Sequence, residues 1–323
     1  MILTAGSIRS ELNSAKNRRL RNPDIKNNLV LIRRKMEYRV ENLGEKQVGT
    51  SGEGPLFEGK RCLITGASSG IGYGLAERLL QRGAAEVWIC SKNEERISAA
   101  ANTLNEKYGR IKWAALDVCD EDAVTKFVNE MAEGGDIDYV FANAGTGAVG
   151  AFEDFSKETF EYVMGINFYG VLNADHAAVK VMLRQGHGCI INMSSMEGFI
   201  GIGYKSPYTV SKYAVYGLTE SLRKEYDPQN IRFAVACPGP VVSNIWKRDI
   251  TGVVHKGGAI PEGAITELEA ADEILAGIEE NRSVILVTDM ARGVWNGLKD
   301  APAQTDQALI FFSQTQKPRP KNK

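Results

Sequence analysis

Tyr208 and Lys212 are four residues apart, a spacing that could support proton transfer. Ser206 and Pro207 precede Tyr208 and are predicted to be the N-cap and first residue of a helix, which would place both side chains on one face. A phenol with a pKa near 10 is a poor base at neutral pH unless a cation favours its phenolate. We therefore expect Lys212 to keep Tyr208 easily ionised, so that Tyr208 can act as a general acid or base.

The same Tyr-x-x-x-Lys pattern also occurs at Tyr108 and Lys112. Gly109 follows Tyr108 directly, and a β-type run begins at Ile111, so this second pair need not share a helical face. The sequence therefore favours Tyr208 and Lys212 as the pair with useful geometry.

A glycine-rich turn covers residues 65–72, with the sequence TGASSGIG, between a predicted strand and a predicted helix. Glycines let the backbone approach a pyrophosphate, and the free N–H groups of a helix start attract its negative charge. The position of the turn favours dinucleotide binding over a plain structural turn. The predicted cofactor contacts in this turn are Gly66, Ser68, Ser69, Gly70, Ile71 and Gly72.

The GxxxGxG spacing resembles the short-chain dehydrogenase/reductase family more than the GxGxxG of other dinucleotide folds. The resemblance covers about residues 56–287. Its further matches are Asn143-Ala144-Gly145, Asn167, Ser195 thirteen residues before Tyr208, the Tyr208–Lys212 pair and Cys237-Pro238-Gly239. It implies a nicotinamide-dependent oxidoreductase that interconverts a ketone or aldehyde and an alcohol.

The resemblance also implies roles for four residues. Ser195 would hold the substrate oxygen, and Tyr208 would exchange a proton with it while hydride moves to or from the nicotinamide. Lys212 would also bind the nicotinamide ribose, and Asn167 would hold a water that links Lys212 to solvent. The alternative for Asn167 is a hydrogen bond within its own helix. Strand alternation is expected to point Ser194 away from the site that Ser195 faces.

Ser91 and Lys92 follow the second predicted strand, where an NAD enzyme usually has an Asp or Glu for the ribose 2′-hydroxyl. Because no acid is present and Lys92 offers a cation, we expect NADP(H); the alternative is that Lys92 is a solvated surface charge. Asp117 and Val118 match the family position that contacts adenine, although an Asp can also simply end a strand.

Further cofactor contacts are expected from the loops after the fourth and sixth strands, with Ser243 bonding the nicotinamide carboxamide. These contacts are Asn143, Ala144, Gly145, Pro238, Gly239, Val241 and Ser243. The loop at 240–263 has no clear periodicity and is predicted to be a mobile substrate lid. The candidate substrate contacts are Glu197, Phe199, Tyr204 and Trp246, for which ordinary packing is the alternative. The aromatic residues hint at an apolar, ring-sized or acyl substrate.

The elements that must position these residues alternate between β-type runs and helix-length amphipathic stretches, which is typical of parallel strands joined by helices. The predicted strands are 61–65, 86–90, 111–116, 139–142, 189–193, 232–237 and 284–287, and the predicted long helices are 70–82, 159–184 and 207–226. The fold class is therefore α/β, a Rossmann-type doubly wound parallel sheet with helices on both faces. Ligands of such sheets bind beyond the carboxyl ends of the strands.

Composition limits the other functions. Residues 1–57 carry eleven Lys or Arg and six Asp or Glu, a net charge of +5, which leaves −6 on the rest of the 323-residue chain. A mildly acidic body argues against nucleic-acid binding. Three scattered histidines give no reason to expect a metal, and no apolar run reaches the roughly 18 residues of a membrane span. Five widely spaced cysteines suggest reduced core residues of an intracellular protein.

One catalytic domain is expected at 56–312. It would follow a basic extension and Gly-rich linker at 1–55, which is either disordered or an organelle-targeting segment, and precede a basic disordered tail at 313–323. The expected location is the cytoplasm, or an organelle if the extension is a targeting segment. By the family resemblance, the two later long helices would form a homodimer or homotetramer. Two alternatives to this oxidoreductase are a non-catalytic NADP(H)-binding sensor or interaction protein, and a sugar epimerase or dehydratase of the extended branch of the family.

Overall fold

The computed structural model describes residues 56–243, 245, 261 and 263–315. Seven strands form one sheet, and every strand runs parallel to its neighbours. The strands are β1 (Arg61–Thr65), β2 (Glu86–Ser91), β3 (Ile111–Ala115), β4 (Tyr139–Ala142), β5 (Gly188–Met193), β6 (Ile231–Pro238) and β7 (Val284–Val287). These bounds agree with the predicted strands to within one residue at each end.

The strand order is β3-β2-β1-β4-β5-β6-β7. The chain moves outward from β1 to β3 and then crosses back to place β4 on the other side of β1. The carboxyl ends of β1 and β4 therefore flank the crevice where the winding reverses, which is where doubly wound sheets bind their ligands. The predicted fold class is confirmed.

Helices cover both faces of the sheet. One face packs against α1, α2 and α7 through an apolar cluster that includes Leu75, Ile97 and Ile274, and the other packs against α3, α5 and α6 through Val124 and Val215. The helices are α1 (Gly70–Gln81), α2 (Glu94–Tyr108), α3 (Glu121–Glu133), α4 (Lys157–Met164), α5 (Gly170–Gln185), α6 (Ser206–Tyr226), α7 (Glu267–Glu279), α8 (Asp289–Asp300) and α9 (Pro302–Thr315).

Local signals explain where several helices begin and end. The Asn93 side chain accepts a hydrogen bond from the backbone N–H of Arg96 at the start of α2, and Gly109 ends that helix with a left-handed φ of 67°. Thr266 and Glu269 form a capping box at the start of α7. Gly109 thus separates Tyr108 from Lys112, which lies in β3, as the sequence indicated.

The helix predicted at 159–184 contains a π-helical turn. It is built from α4 and α5 with a π-helical turn between them, Gly165–Tyr169. The turn places the Asn167 side chain against residues outside its own helix. Close packing favours glycine at position 170, directly after the turn, because a Cβ there would lie 2.6 Å from Val118 Cγ2. The helix predicted at 159–184 is present, and its π-helical turn was not predicted because these contacts are tertiary.

Two predicted boundaries also differ from the structure. The N-cap of α6 is Lys205, without a side-chain capping bond, and Ser206 is the first helical residue, so the predicted N-cap was one residue late. At the carboxyl end, α9 continues to Thr315, and the buried Ser313 hydroxyl accepts a hydrogen bond from the N–H of Gly203 at 2.9 Å. The folded chain therefore passes the expected limit at 312. The predictions for 1–55 and 316–323 lie outside the described residues.

A third apolar cluster lies under the two C-terminal helices. Met196, Ile200 and Ile202 pack there with Leu309 and Phe312 of α9. No helix in the described ranges is long and apolar enough to cross a membrane. In the same part of the chain, no group of three His, Cys, Asp or Glu side chains could hold a metal ion.

Four of the five cysteines are buried, and Cys119, expected in the core, is exposed.

Candidate active site

A cavity opens at the carboxyl edge of the sheet. It encloses about 1240 Å³ of space, a volume that includes open solvent at its mouth. Most of the predicted site residues line it together: Gly66, Ser69, Gly70, Ile71, Asn143, Gly145, Ser195, Glu197, Tyr208, Lys212, Pro238, Gly239, Val241 and Ser243. The others do not: Ser68, Gly72, Ser91, Lys92, Asp117, Val118, Ala144, Asn167, Phe199 and Tyr204.

The glycine-rich turn is held against the loop after β4. The Thr65 hydroxyl accepts hydrogen bonds from the N–H groups of Asn143 and Ala144, each at 3.0 Å, and the Asn143 amide donates to the Thr65 carbonyl at 2.8 Å. A Cβ on Gly66 would lie 2.6 Å from the Ala144 Cα, so only glycine fits there. The Asn143 side chain therefore braces the turn.

The start of α1 fits an anionic group. Gly70 has a left-handed φ of 61°, and the N-cap Ser69 makes no side-chain capping bond, so the first N–H groups of the helix are not capped from Ser69. The first turn holds no acidic residue, and Ser69, Gly70 and Ile71 line the cavity. Uncapped N–H groups and the helix dipole favour a phosphate at this position, as a dinucleotide would supply.

Ser195 and Ser194 both line the cavity, although alternation was expected to turn one away. Strand β5 ends at Met193, so the alternation does not extend to these two residues. The Ser194 hydroxyl donates to the backbone carbonyl of Lys212 at 2.8 Å. The Ser195 hydroxyl donates more weakly to the Pro238 carbonyl at 3.3 Å and accepts from the N–H of Glu197 at 3.2 Å. Ser195 thus has the hydroxyl that is less tightly held.

Tyr208 and Lys212 lie in the first two turns of α6, with the Lys212 ammonium 5.6 Å from the centre of the Tyr208 ring. Lys212 Nζ donates to the Met193 carbonyl at 2.7 Å. Burial raises the pKa of the Tyr208 phenol, the charge of Glu197 raises this pKa further, and a hydrogen bond from Ser195 lowers it. Burial also lowers the pKa of the Lys212 ammonium to about 8.

The expectation that Lys212 keeps Tyr208 easily ionised is therefore not met by the protein groups alone. Lys212 is buried and Tyr208 is partly buried at the cavity wall, and removal from water disfavours the charged form of each. At neutral pH, the phenol holds its proton and the ammonium keeps most of its charge. This arrangement suits a proton donor next to a cation.

Asn167 is buried in the π-helical turn and connects two parts of the site. Its side chain accepts from the N–H of Thr146 at 2.7 Å and donates to the Thr146 carbonyl at 3.0 Å and to the Ser211 hydroxyl at 2.9 Å. A Cβ added to Gly145 would lie 3.5 Å from Asn167 Oδ1 and 3.6 Å from Lys212 Nζ. Asn167 thus bonds outside its own helix, unlike the alternative considered from sequence.

Residues predicted to select the cofactor form two contacts near the end of β2. The hydroxyls of Ser68 and Ser91 are 3.0 Å apart, and the Lys92 ammonium is 2.7 Å from the Asp117 carboxylate. This ion pair is exposed, so it contributes about 0–1 kcal/mol. Val118 is buried. Lys92 is thus paired, although weakly.

The predicted substrate residues separate. Glu197 lines the cavity, whereas the Phe199 ring packs edge-on against Trp295 with centroids 4.9 Å apart, and Tyr204 lies outside the lining. Trp246 and most of the predicted lid lie outside the described residues. The cavity lining also includes Lys205, Ile202 and Phe312, which were not predicted from the sequence. Lys205 could have been found from its place three residues before Tyr208, whereas Phe312 has no local signal.

Comparison with known proteins identifies relatives. The chain matches the family model described as short chain dehydrogenase over residues 60–252. A 3alpha-hydroxysteroid dehydrogenase of Mediterraneibacter gnavus is 32% identical over 218 residues, which cover 67% of this chain and 82% of the relative. The family-model match covers β1 to β6 and every candidate catalytic residue.

Solved structures give the same result. A short chain dehydrogenase from Burkholderia cenocepacia in complex with NADP has a TM-score of 0.68 and 25% identity, covering 79% of this chain and 98% of that one. An NAD⁺-bound xylitol dehydrogenase has a TM-score of 0.63 and 27% identity, covering 72% and 98%. The chain belongs to the short chain dehydrogenase family of oxidoreductases, whose members in these structures bind nicotinamide dinucleotides.

Proposed function

We propose that the protein is an NADP(H)-dependent oxidoreductase that interconverts a ketone or aldehyde and the corresponding alcohol. The observation that carries this proposal is the meeting of Ser195, Tyr208 and Lys212 with the glycine-rich turn around one cavity. A protein that only binds the dinucleotide would have no need of a buried hydroxyl, phenol and ammonium together. The catalytic unit that we propose begins at residue 56 and includes the sheet and its helices.

Each residue has a separate task in this proposal. When bound, the nicotinamide supplies a hydride to the carbonyl carbon or accepts one from the alcohol. In reduction, the Ser195 hydroxyl donates a hydrogen bond to the carbonyl oxygen, and Tyr208 transfers its phenolic proton to that oxygen as the C–O double bond becomes single. Lys212 stabilises the phenolate that remains. Asn167, held by Thr146 and Ser211, would hold a water that links Lys212 to solvent, and solvent would replace the proton.

The preference for NADP(H) is proposed from Lys92. The Lys92–Asp117 pair is exposed and contributes little energy, so a 2′-phosphate could attract Lys92 away from Asp117 at small cost. Ser91 at the end of β2 replaces the carboxylate that would repel such a phosphate. The B. cenocepacia relative in complex with NADP supports this choice, whereas the NAD⁺-bound xylitol dehydrogenase supports the other cofactor.

The proposed substrate is an apolar, ring-sized or acyl carbonyl compound. Ile202, Met290 and Phe312 give the cavity an apolar wall, and the relative named as a hydroxysteroid dehydrogenase supports a ring-sized substrate.

We also propose a homodimer or homotetramer, because Tyr169, Val210 and Tyr213 expose apolar surface on α6 and on the π-helical turn before α5. Light scattering after gel filtration would detect either oligomer, and a strict monomer would contradict it.

The proposal is tested with a panel of steroid ketones, aliphatic ketones, aldehydes and their alcohols, with turnover followed by the change in NADPH or NADH absorbance. We expect turnover of at least one apolar carbonyl, with a higher kcat/KM for NADPH than for NADH. Lys92→Glu should reverse part of this preference. Absence of turnover across the panel would refute the enzymatic proposal, and a clear preference for NADH would refute the role of Lys92.

A further inference from the structure

Glu197 is a buried carboxylate that follows Ser195 and Met196 in the chain, and all three residues line the cavity. Its side chain is 4% exposed. One carboxylate oxygen is 3.2 Å from the ammonium of Lys205, the N-cap of α6, and the other accepts a hydrogen bond from the Thr209 hydroxyl at 2.9 Å. Glu197 is thus attached to α6 on both sides of Tyr208.

The backbone of Glu197 is attached to a different part of the site. Its N–H donates to the Ser195 hydroxyl at 3.2 Å, within the short 3-10 turn Met196–Gly198. The same residue therefore contacts the hydroxyl of Ser195 through its main chain and the first turn of α6 through its side chain. Ser195 and Tyr208 come from separate elements, and Glu197 connects those elements directly.

Stability alone does not account for this ion pair. Moving two charges out of water costs several kcal/mol per ion, and a buried pair is often no more stable than apolar residues of the same volume. The start of α6 also lacks the usual capping bond, and the Ser206 hydroxyl is buried with no hydrogen-bond partner among the described residues. The Glu197 carboxylate bonds the side chains of Lys205 and Thr209 on either side of this turn, and its negative charge is favourable near a helix start.

We propose that Glu197 is a positioning residue, which sets the distance between the Ser195 hydroxyl and the Tyr208 phenol by tying the turn after β5 to the first turn of α6. This inference rests on the proposed function, because it assumes that these two groups act on one carbonyl oxygen. Tyr208 can donate its proton efficiently only when Ser195 holds that oxygen within hydrogen-bond distance of the phenol.

The charge of Glu197 has a second, separable effect. It raises the pKa of Tyr208 and also that of Lys212; the other ionisable group that influences both is Cys237, and Lys205 is its own ion-pair partner. Loss of the charge should therefore lower both pKa values and move the alkaline limb of the pH profile to lower pH. A residue that served only to stabilise the fold would not move this limb.

The test compares Glu197→Gln, Glu197→Asp and Thr209→Val with the wild-type protein. We expect Glu197→Gln to lower kcat at least about tenfold, to shift the alkaline limb downward and to leave the Kd for NADPH within about twofold. Glu197→Asp should keep the limb near its wild-type position and recover part of kcat. Thr209→Val, which removes one of the two bonds between the carboxylate and α6 but keeps the charge of Glu197, should lower kcat several-fold without moving the limb.

Glu86→Gln is the matched control. Glu86 is a partly buried carboxylate in an ion pair with Arg61, and both residues begin their strands, at the end of the sheet opposite the cavity. Loss of the Glu86 charge should therefore leave kcat and the alkaline limb unchanged. Wild-type values of kcat and of the limb in both Glu197→Gln and Thr209→Val would overturn the inference. Failure of the proposed function would be visible separately, as absence of turnover in the wild-type protein.

Discussion

At the scale of single residues, burial determines the proton chemistry that we propose. The partly buried Tyr208 phenol and the buried Lys212 ammonium both lose contact with water, which raises the pKa of the phenol and lowers that of the ammonium. Tyr208 is therefore a phenol, ready to donate, in the reduction direction. The ammonium of Lys212 is the group that titrates within an accessible pH range.

This gives a prediction for the pH profile. Because the pKa of Lys212 is lowered to about 8, Lys212 loses its charge as the pH rises through that value, and the phenolate that forms at Tyr208 loses its stabilising cation. We expect kcat/KM for carbonyl reduction to be level below pH 7 and to fall about tenfold per unit well above the pKa. In Lys212→Arg, where the guanidinium stays charged, this limb should disappear. A flat wild-type profile up to about pH 10 would contradict this role of Lys212.

The residue types around Tyr208 could be identified from sequence because their spacing reflects local geometry. Tyr208 and Lys212 share a helix, and Gly109 separates the competing pair at Tyr108 and Lys112. The direction of the Tyr208 pKa shift could not be found in this way. It depends on burial and on Glu197, which reaches α6 only in the folded chain.

At the scale of elements, the π-helical turn between α4 and α5 gives Asn167 its partners. We expect Asn167→Ala to lose about 1–3 kcal/mol of unfolding free energy for each backbone group of Thr146 left without a partner. It should also lower kcat about tenfold or more, because Asn167 bonds Ser211 between the catalytic tyrosine and lysine.

The matched control is Asn105→Ala. The Asn105 side chain accepts a hydrogen bond from the N–H of Ile111 at 2.8 Å and donates one to the Ile111 carbonyl at 3.1 Å, just as Asn167 bonds Thr146. Asn105 does not line the cavity. This variant should lose comparable stability in urea unfolding and keep its kcat. If both variants lost activity only in proportion to the unfolded fraction, Asn167 would be a structural residue.

The C-terminal helix α9 closes one side of the cavity with Phe312, while the preceding Phe311 is exposed. Removing this partly buried aromatic ring from the wall should cost apolar substrates about 1–3 kcal/mol of binding. We therefore expect Phe312→Ala to raise KM roughly 5- to 100-fold with a smaller change in kcat. Phe311→Ala should leave both constants unchanged, and equal effects of the two substitutions would argue against a substrate wall at Phe312.

Most elements could be predicted because buried parallel strands appear as short apolar runs between turns, as β1 and β4 do. The helix at 159–184 was predicted without its π-helical turn, since the turn depends on contacts with Val118, Thr146 and Ser211. The contribution of α9 was missed because Phe312 is about a hundred residues away in sequence from the Tyr208 helix that it faces across the cavity.

At the scale of the whole molecule, the buried Asp175 carboxyl makes the free energy of unfolding depend on pH. It lies on α5 and accepts a hydrogen bond from the Asn192 amide of β5 at 2.8 Å, and Asn192 also donates to Thr219 of α6. Burial raises the pKa of the Asp175 carboxyl to about 8. At neutral pH, Asp175 is therefore protonated in the folded state.

The unfolded chain loses this proton near pH 4, so between about pH 4 and 8 the folded state binds more protons. The contribution of Asp175 to stability is complete below that window and is lost as the pH rises through it. We expect the free energy of unfolding to fall more between pH 5 and about 8.5 in the wild-type protein than in Asp175→Asn, which has no proton to lose. Equal changes in the two proteins, measured by urea unfolding, would contradict a protonated Asp175.

The central claim is that Tyr208 transfers the proton, and Tyr208→Phe tests it most directly. Its matched control is Tyr108→Phe, from the second Tyr-x-x-x-Lys pattern, whose hydroxyl bonds Gln81 outside the cavity. We predict that Tyr208→Phe loses roughly 100-fold or more in kcat while its Kd for NADPH stays within about twofold, and that Tyr108→Phe keeps both values. A Tyr208→Phe protein that still binds NADPH and turns over at the wild-type rate would contradict the account.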